Sequence, residues 1–283
     1  MESLEGENIS NIPSQLVELD EDFMNELETE TVSFTRQDGM FNQEVTLTYV
    51  SNSMEVLNEK LEQPKYDEKK DVVKNEYEGG FTIWECTYDL INFLLQNGEK
   101  LDLNGKNILD LGCGHGLVGI FCMKAYDVNT VCFQDFNLDV LKFTTVPNIV
   151  KNGFEQKLSQ CRFISGDWGD MIAKIQQGTN EIVTPLHNEE TQLPTKFNAI
   201  LMAEVLYNSE NYVKLGQIIN ELLDKDGVCI ISSKLYYFGI GGSVDEFKDF
   251  MEQTYPHLKI ETLQEINDKR SNKREIFCIG HAN

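Results

Sequence analysis

The amino-acid sequence predicts an α/β protein whose sheet is mostly parallel and covered by helices on both faces. From about residue 77 onward, short apolar runs alternate with segments whose apolar residues recur at helical spacing. The chain has 283 residues, of which 41% are hydrophobic, enough for one large α/β domain and an appendage. In this fold class, ligands bind at the carboxyl ends of the parallel strands.

The alternation begins with a helix in TYDLINFLLQN, where Tyr88, Ile91 and Leu95 lie on one face. The elements expected after it are, in order, strand NILDLG, helix LVGIFCMKAY, strand TVCFQD, helix NLDVLKFTTVPNIVKN, strand CRFISGD, helix DMIAKIQQ, strand FNAILMAEV, helix NYVKLGQIINELLDKDG, strand VCIISSK, helix SVDEFKDFMEQTY and strands LKIETLQEI and REIFCIG. Gly227 is expected to end the helix that precedes it. Ser243 is expected to cap the next helix, because Glu246 completes a capping-box spacing.

Composition divides the chain into three parts. Residues 1–33 contain no lysine or arginine and many acidic residues, so we expect a flexible acidic segment there, with a short amphipathic turn as the alternative. Residues 34–76 are expected to form an extension with a strand in EVTLTYV and a polar, lysine-rich connector. Residues 77–283 form the alternating domain.

Charge and cysteine usage limit the classes of partner. The chain carries 47 acidic against 24 basic residues, a formal net charge of −23, which disfavours direct nucleic-acid binding and favours a basic protein partner. Its seven cysteines show no Cys-x-x-Cys pair, as is typical of reduced thiols in the cytoplasm or nucleus. No membrane span is expected, because no apolar stretch approaches about eighteen residues. We expect a monomer.

The glycine-rich turn LDLGCGHGLVG follows the first strand of the alternating region. Gly112, Gly114 and Gly116 allow a tight turn and a close approach of the backbone to a ligand. Such a turn suits either a dinucleotide or S-adenosylmethionine, so a nicotinamide-dependent oxidoreductase is one alternative.

Three carboxylates at strand ends favour the second cofactor. Asp110 would repel a pyrophosphate but pair with an ammonium, Asp135 would accept from ribose hydroxyls, and Asp167 would accept from an adenine amine. Trp168 offers a face for the adenine ring. Three of these residues have a structural alternative. Asp110 is alternatively a cap for the neighbouring helix, Asp135 an N-cap and Trp168 a core aromatic.

Three further segments carry a resemblance. They are EGGFTIWECTYDL with Trp84, LMAEVLYN with Glu204, and YYFGIGG. Together with the glycine turn they resemble the seven-strand, Rossmann-like S-adenosylmethionine-dependent methyltransferases, whose sheet is mostly parallel with an antiparallel C-terminal strand. Within these, residues 75–283 are similar to the histidine protein methyltransferase branch. Glu204 stands where the lysine-modifying group of the same family has an aspartate.

The resemblance implies a set of site residues. The cofactor-binding residues implied are Trp84, Asp110, Gly112, Cys113, Gly114, Gly116, Asp135, Asn137, Gly166, Asp167, Trp168 and Ala203. The catalytic residues implied are Glu204, Tyr207 and Asn208, and the substrate-binding residues are Tyr236, Tyr237, Phe238, Gly239, Gly241 and Gly242. The alternatives are that Glu204 holds the strand-end turn and that YYFGIGG is a hydrophobic plug. The histidines are dispersed, so no metal site is expected.

The implied activity is methyl transfer to the tele nitrogen of a protein histidine, in the third protein of the large ribosomal subunit. Imidazole suits this chemistry because it is mostly neutral at cell pH, whereas a lysine must first lose a proton. The alternatives are a protein-lysine methyltransferase of the related group and a non-catalytic chaperone for a basic ribosomal protein.

Overall fold

The computed structural model describes residues 21–37, 42–60, 65–67, 70, 72–73, 76–177, 193–237, 239, 241–269 and 271–282. Its strands are β1 Thr29–Gln37, β2 Asn42–Val50, β3 Asn107–Leu111, β4 Thr130–Asp135, β5 Cys161–Ser165, β6 Phe197–Ala203, β7 Leu223–Lys234, β8 Leu258–Ile266 and β9 Arg274–His281. Its helices are α1 Glu21–Glu26, α2 Ser53–Lys60, α3 Glu85–Leu101, α4 Leu117–Ala125, α5 Leu138–Val140, α6 Val146–Lys151, α7 Trp168–Gln177, α8 Tyr212–Leu222 and α9 Val244–Thr254. A π-helical turn, Leu141–Thr145, joins α5 to α6.

Seven strands form the main sheet in the order β5-β4-β3-β6-β7-β9-β8. Strand β9 is antiparallel to both β7 and β8, while β5, β4, β3, β6 and β7 pair in parallel. Every residue of β4 is buried, as expected for a strand covered on both faces. The predicted fold class, including the antiparallel C-terminal strand, is confirmed.

The N-terminal extension is a second, two-stranded sheet. Strands β1 and β2 pair antiparallel, and the Oδ1 of Asn148 in α6 accepts from the Val50 N–H at 2.7 Å. Phe23 and Leu27 are buried in the core. The predicted flexible segment 1–33 therefore needs correction over residues 21–33, where α1 and the start of β1 form because their apolar side chains are buried. Residues 1–20 lie outside the described residues.

The end of α8 and the start of α9 show which of the helix start and stop signals expected from the sequence hold in the structure. Helix α8 ends at Leu222, so the expectation that it continues to Gly227 was wrong. Leu223 is buried and pairs with Phe197 of β6, so tertiary pairing begins the strand earlier than the glycine signal indicates. The capping prediction for α9 is confirmed, because the Ser243 side chain accepts from the Glu246 N–H at 3.2 Å.

Among the helices that the structure describes, none is long and apolar enough to cross a membrane.

Candidate active site

A pocket of about 260 Å³ opens at the carboxyl ends of β3, β4, β5 and β6. The topology places it there because parallel strands end at one edge of the sheet, beside the point where the order reverses around β3. The predicted site residues that line it are Trp84, Gly112, Cys113, Gly114, Asp135, Gly166, Asp167, Trp168, Ala203, Glu204, Tyr207 and Asn208.

The glycine turn after β3 forms one wall. Gly112 and Gly114 have positive φ angles of 68° and 50°, which side chains adopt only with strain. A Cβ on Gly114 would lie 3.1 Å from the carbonyl oxygen of Gly80, so the turn and the residue 78–80 segment meet backbone to backbone. Gly116 lies behind this wall as the N-cap residue of α4.

The side chain of Gln134 links the turns around the pocket by hydrogen bonds. Its Oε1 accepts from the Gly112 N–H at 3.2 Å and from the Trp168 Nε1–H at 2.8 Å, and its Nε2 donates to the Gly166 carbonyl at 3.0 Å. The side chain is fully buried. One amide therefore ties together the loops that follow β3 and β5.

Asp135 ends β4 and its carboxyl lies in the pocket wall. It accepts from the N–H groups of Gly114 and Asn137, each at 3.0 Å. Burial raises the pKa of Asp135 to about 6, because desolvation outweighs the backbone N–H groups that donate to its carboxylate. The Asn137 side chain lies behind it and holds the residue 76–78 backbone, accepting from the Glu78 N–H and donating to the Glu76 carbonyl.

Asp110 is not on the pocket wall. It is buried beneath the glycine turn, and its carboxylate accepts from the Gly119 N–H in α4 at 2.9 Å. This contact is the one expected of a cap for the neighbouring helix. Burial raises the pKa of Asp110 to about 7.

The raised pKa of Asp110 predicts a pH-dependent stability. Because the folded pKa exceeds the unfolded value, the folded state binds the extra proton, and stability is lost as pH rises from about 4 to about 7. We expect the free energy of unfolding of Asp110→Asn to fall less steeply over this range, by up to about 1.4 kcal/mol per pH unit. Denaturant titrations of both proteins at closely spaced pH values measure the difference. Parallel curves would contradict the prediction.

The end of β5 forms the opposite wall. Asp167 accepts from the Gly169 N–H at 2.8 Å and forms an ion pair with Lys214 at 2.7 Å. Trp168 lines the pocket with one part of its ring and packs against the core cluster with another. Lys214 also lines the pocket, so a cation stands beside the predicted adenine contact.

Glu204 follows β6 in a strained conformation. Its φ of 60° is left-handed, a region that costs a residue other than glycine about 1–3 kcal/mol and that clusters at functional sites. The residue is buried, its Oε2 accepts from the Tyr237 hydroxyl, and its Oε1 lies 3.2 Å from Lys234 Nζ. Oε1 is itself buried and has no hydrogen-bond partner with good geometry among the described residues apart from this ion pair. Glu204 thus lines the pocket with a carboxylate that is held by a hydroxyl on one side and an ammonium on the other.

Tyr207 and Asn208, the other predicted catalytic residues, have partners of their own. The Tyr207 hydroxyl donates to Glu78, and burial followed by that hydrogen bond raises the pKa of Tyr207 well above its usual value. The Asn208 side chain accepts from the Glu210 N–H at 3.1 Å and caps the short 3-10 turn Ser209–Asn211. Tyr207 stands with its ring centroid 6.4 Å from that of Tyr237.

The described residues of the YYFGIGG segment, Tyr236, Tyr237, Gly239, Gly241 and Gly242, are not among those that line the pocket. Tyr236 is exposed, whereas Tyr237 contacts Glu204. Gly242 is buried, and a Cβ there would collide with the Leu206 carbonyl and the Tyr207 backbone. Its missing side chain therefore brings the loop against the segment after Glu204. Gly239 and Gly241 are exposed with positive φ, and Phe238 lies outside the described residues.

His115 is a structural histidine on the pocket side of the glycine turn. Its Nε2 lies 2.9 Å from the Phe81 carbonyl, and burial lowers its pKa to about 4. The neutral ring with Nε2 protonated fits these contacts. Cys113 is half-buried, and desolvation raises the pKa of its thiol well above the usual range, so its nucleophilicity is low.

Sequence reasoning missed Glu78, Gln134, Lys214 and Lys234. Gln134 adjoins Asp135 in the CFQD segment, and a buried amide at a strand end was a usable signal. Lys234 closes the apolar VCIISSK strand, where a lysine interrupts a buried run. Glu78 and Lys214 contact the site only through the tertiary fold. Among the described residues no group of three or more metal-ligating side chains converges.

The fold and the pocket agree with membership of a family of methyltransferases. A family profile described as lysine methyltransferase matches residues 69–254. The chain belongs to that family of methyltransferases. Among solved structures, it resembles a putative SAM-dependent methyltransferase from Streptococcus mutans, with 14% identity and a TM-score of 0.52, covering 87% of this chain and 55% of that one.

The curated relatives confirm the resemblance to the histidine branch. The chain is 38% identical over 212 residues to "Histidine protein methyltransferase 1 homolog" of Dictyostelium discoideum, covering 75% of this chain and 61% of that protein. It is 35% identical over 209 residues to the Bos taurus protein of the same name, covering 66% of this chain and 52% of that one. The chain thus spans little more than half the length of these relatives.

Proposed function

We propose that this protein transfers a methyl group from S-adenosylmethionine to a histidine side chain of a protein. The observation that carries the proposal is the Glu204 carboxylate, which follows β6 in the pocket wall, has a strained left-handed backbone and forms an ion pair with Lys234. A neutral imidazole has one N–H to donate to a carboxylate at this position. The names of the two curated relatives support the same acceptor.

The pocket residues fit the cofactor. The backbone of the glycine turn lines the pocket at Gly112, Cys113 and Gly114, where the methionine end would lie, and the Asp135 carboxyl in the wall would accept from two ribose hydroxyls. Trp168 and Phe136 line the side where an adenine would stack. When bound, S-adenosylmethionine supplies an electrophilic methyl on a sulfonium, a group that leaves readily.

The protein's part in the reaction is alignment. A neutral imidazole attacks through one nitrogen while Glu204 accepts from the N–H of the other, which fixes the ring tautomer and its direction. Transfer would join the methyl carbon to the imidazole nitrogen, and the bound cofactor would leave as a neutral thioether, so the positive charge would pass to the imidazole ring. The carboxylate of Glu204 stabilises that charge, after which the ring N–H proton is released to it or to water.

The finer assignments follow from the resemblance. We propose the tele nitrogen as the methylated atom and a protein of the large ribosomal subunit, the third one, as the substrate. The net charge of −23 favours such a basic partner through long-range attraction. The cytoplasm or the nucleus is the proposed location, and the monomer the proposed state.

Lysine is the second candidate acceptor. The description of the family as lysine methyltransferase favours it. A lysine must lose a proton before it attacks, so this alternative requires a base that a neutral imidazole does not need.

Product analysis tests the proposal. The protein is incubated with methyl-labelled S-adenosylmethionine and ribosomal proteins from cells that lack the activity, and the labelled band is hydrolysed. We expect tele-methylhistidine. Methyl-lysine would assign the chain to the alternative, and the absence of label despite confirmed binding of the cofactor would overturn the proposed substrate.

A further inference from the structure

Lys234, the last residue of β7, lies beside the pocket with its ammonium enclosed by the protein. Its Nζ is 3.2 Å from Glu204 Oε1 and 3.5 Å from Glu85 Oε2, and the side chain is only 15% exposed. The same nitrogen is 5.1 Å from the centroid of the Trp84 ring and 6.0 Å from that of Tyr237. We call Lys234 and these four residues the Lys234 cluster.

The Lys234 cluster has the composition of a binding site for an alkylammonium ion. Carboxylates and aromatic faces within about 6 Å are the groups that proteins use to bind such cations. Two of its members, Trp84 and Glu204, also line the pocket. The cation that fills this site is therefore the protein's own.

The charge of Lys234 is retained in this environment. Burial by itself would lower its pKa, but attraction from Glu204 and Glu85 outweighs burial and raises the pKa. At neutral pH Lys234 thus carries a full positive charge next to the Glu204 carboxylate.

We propose that Lys234 determines acceptor specificity by occupying the ammonium site that a substrate lysine would otherwise take at Glu204. A second ammonium brought to the same carboxylate meets like-charge repulsion in a poorly solvated place, whereas a neutral imidazole does not. This inference rests on the proposed histidine activity and gives its selectivity a physical origin. It also explains how a chain of a family described as lysine methyltransferase can exclude lysine.

Replacing the resident cation tests the inference through the reaction product. Wild type, Lys234→Met and Lys234→Arg are incubated with methyl-labelled S-adenosylmethionine and ribosomal proteins from cells that lack the activity. Methylhistidine and methyl-lysine are then quantified separately. We expect the ratio of methyl-lysine to methylhistidine to rise on the order of tenfold or more in Lys234→Met and to stay at the wild-type value in Lys234→Arg.

Lys248 supplies a matched control. It also forms an ion pair with a buried carboxylate, Glu275, and lies 4.9 Å from the centroid of the Phe277 ring, but it does not line the pocket. Lys248→Met should lose a similar ion pair and leave the product ratio unchanged. Lys234→Gln provides a second neutral variant if Lys234→Met fails to fold.

A direct probe separates this inference from the proposed function. In Lys234→Ala the ammonium site is vacated, so n-butylammonium should bind there and raise the thermal midpoint, with no such rise in wild type or Lys248→Ala. Wild type that makes no methylhistidine defeats the proposed function, whatever the probe shows. Wild type that makes methylhistidine, together with an unchanged product ratio in Lys234→Met or no n-butylammonium binding to Lys234→Ala, overturns the role of Lys234 alone.

Discussion

Glu204→Gln is expected to slow methyl transfer to histidine by about 10²- to 10⁴-fold, the range for removing a positioned acid–base group. Glutamine preserves the length of the side chain and its oxygen next to Tyr237. It removes the ion pair with Lys234 and the negative charge that, in the proposed mechanism, stabilises the methylated imidazole ring. Single-turnover rates at saturating S-adenosylmethionine measure the effect on the chemical step without the contribution of product release.

Two comparisons keep that result interpretable. Binding of S-adenosylhomocysteine by Glu204→Gln reports whether the pocket still forms. Glu204→Asp keeps the charge and adopts the left-handed backbone more readily than glutamate, but its carboxylate is one methylene further from the pocket. We expect its rate to fall between those of the other two proteins. A folded Glu204→Gln within tenfold of wild type would assign Glu204 to the strand-end turn instead.

The sequence predicted the main sheet well because its strands are buried on both faces. Runs such as TVCFQD are apolar throughout, and the helices between them keep a clear 3.6-residue period. The N-terminal extension was harder, since β1 reads TETVSFTRQ and only its pairing with β2 and its packing make it a strand. The early end of α8 has the same origin, because a long-range pairing of Leu223 with Phe197 overrides a local glycine signal.

The site was predictable where a residue acts through its place at a strand end. Asp135, Glu204 and the glycine turn lie in the pocket wall for that reason. The sequence did not predict Lys234 as a site residue. Its contacts are with Glu85 and Trp84 in the segment before β3, which lies more than a hundred residues away along the chain. Sequence patterns report periodicity and chain-local chemistry, whereas a charge cluster of this kind exists only after the helix α3 has packed against β7.

A buried ion pair links that helix to β9, and breaking it should produce the largest loss of stability. Arg274 in β9 is 5% exposed and donates to Asp89 of α3 at 2.6 Å, with Asp268 as a second partner at 3.0 Å. Arg274→Met retains most of the volume but leaves Asp89 without its cation. We expect a loss of about 3–5 kcal/mol in the free energy of unfolding, measured by denaturant titration.

Variants of the two partners of Arg274 distinguish the loss of charge from the loss of packing. Asp268 is 40% exposed, so Asp268→Asn should cost less than about 1 kcal/mol. Combining Arg274→Met with Asp89→Leu removes both buried charges and should recover most of the stability, because an apolar pair of similar volume replaces an ion pair at little net cost. If the double variant is no more stable than Arg274→Met, the loss comes from packing around β9. If it recovers, α3 is held against the sheet by charge, and the N-terminal turn that carries Glu85 to Lys234 is held with it.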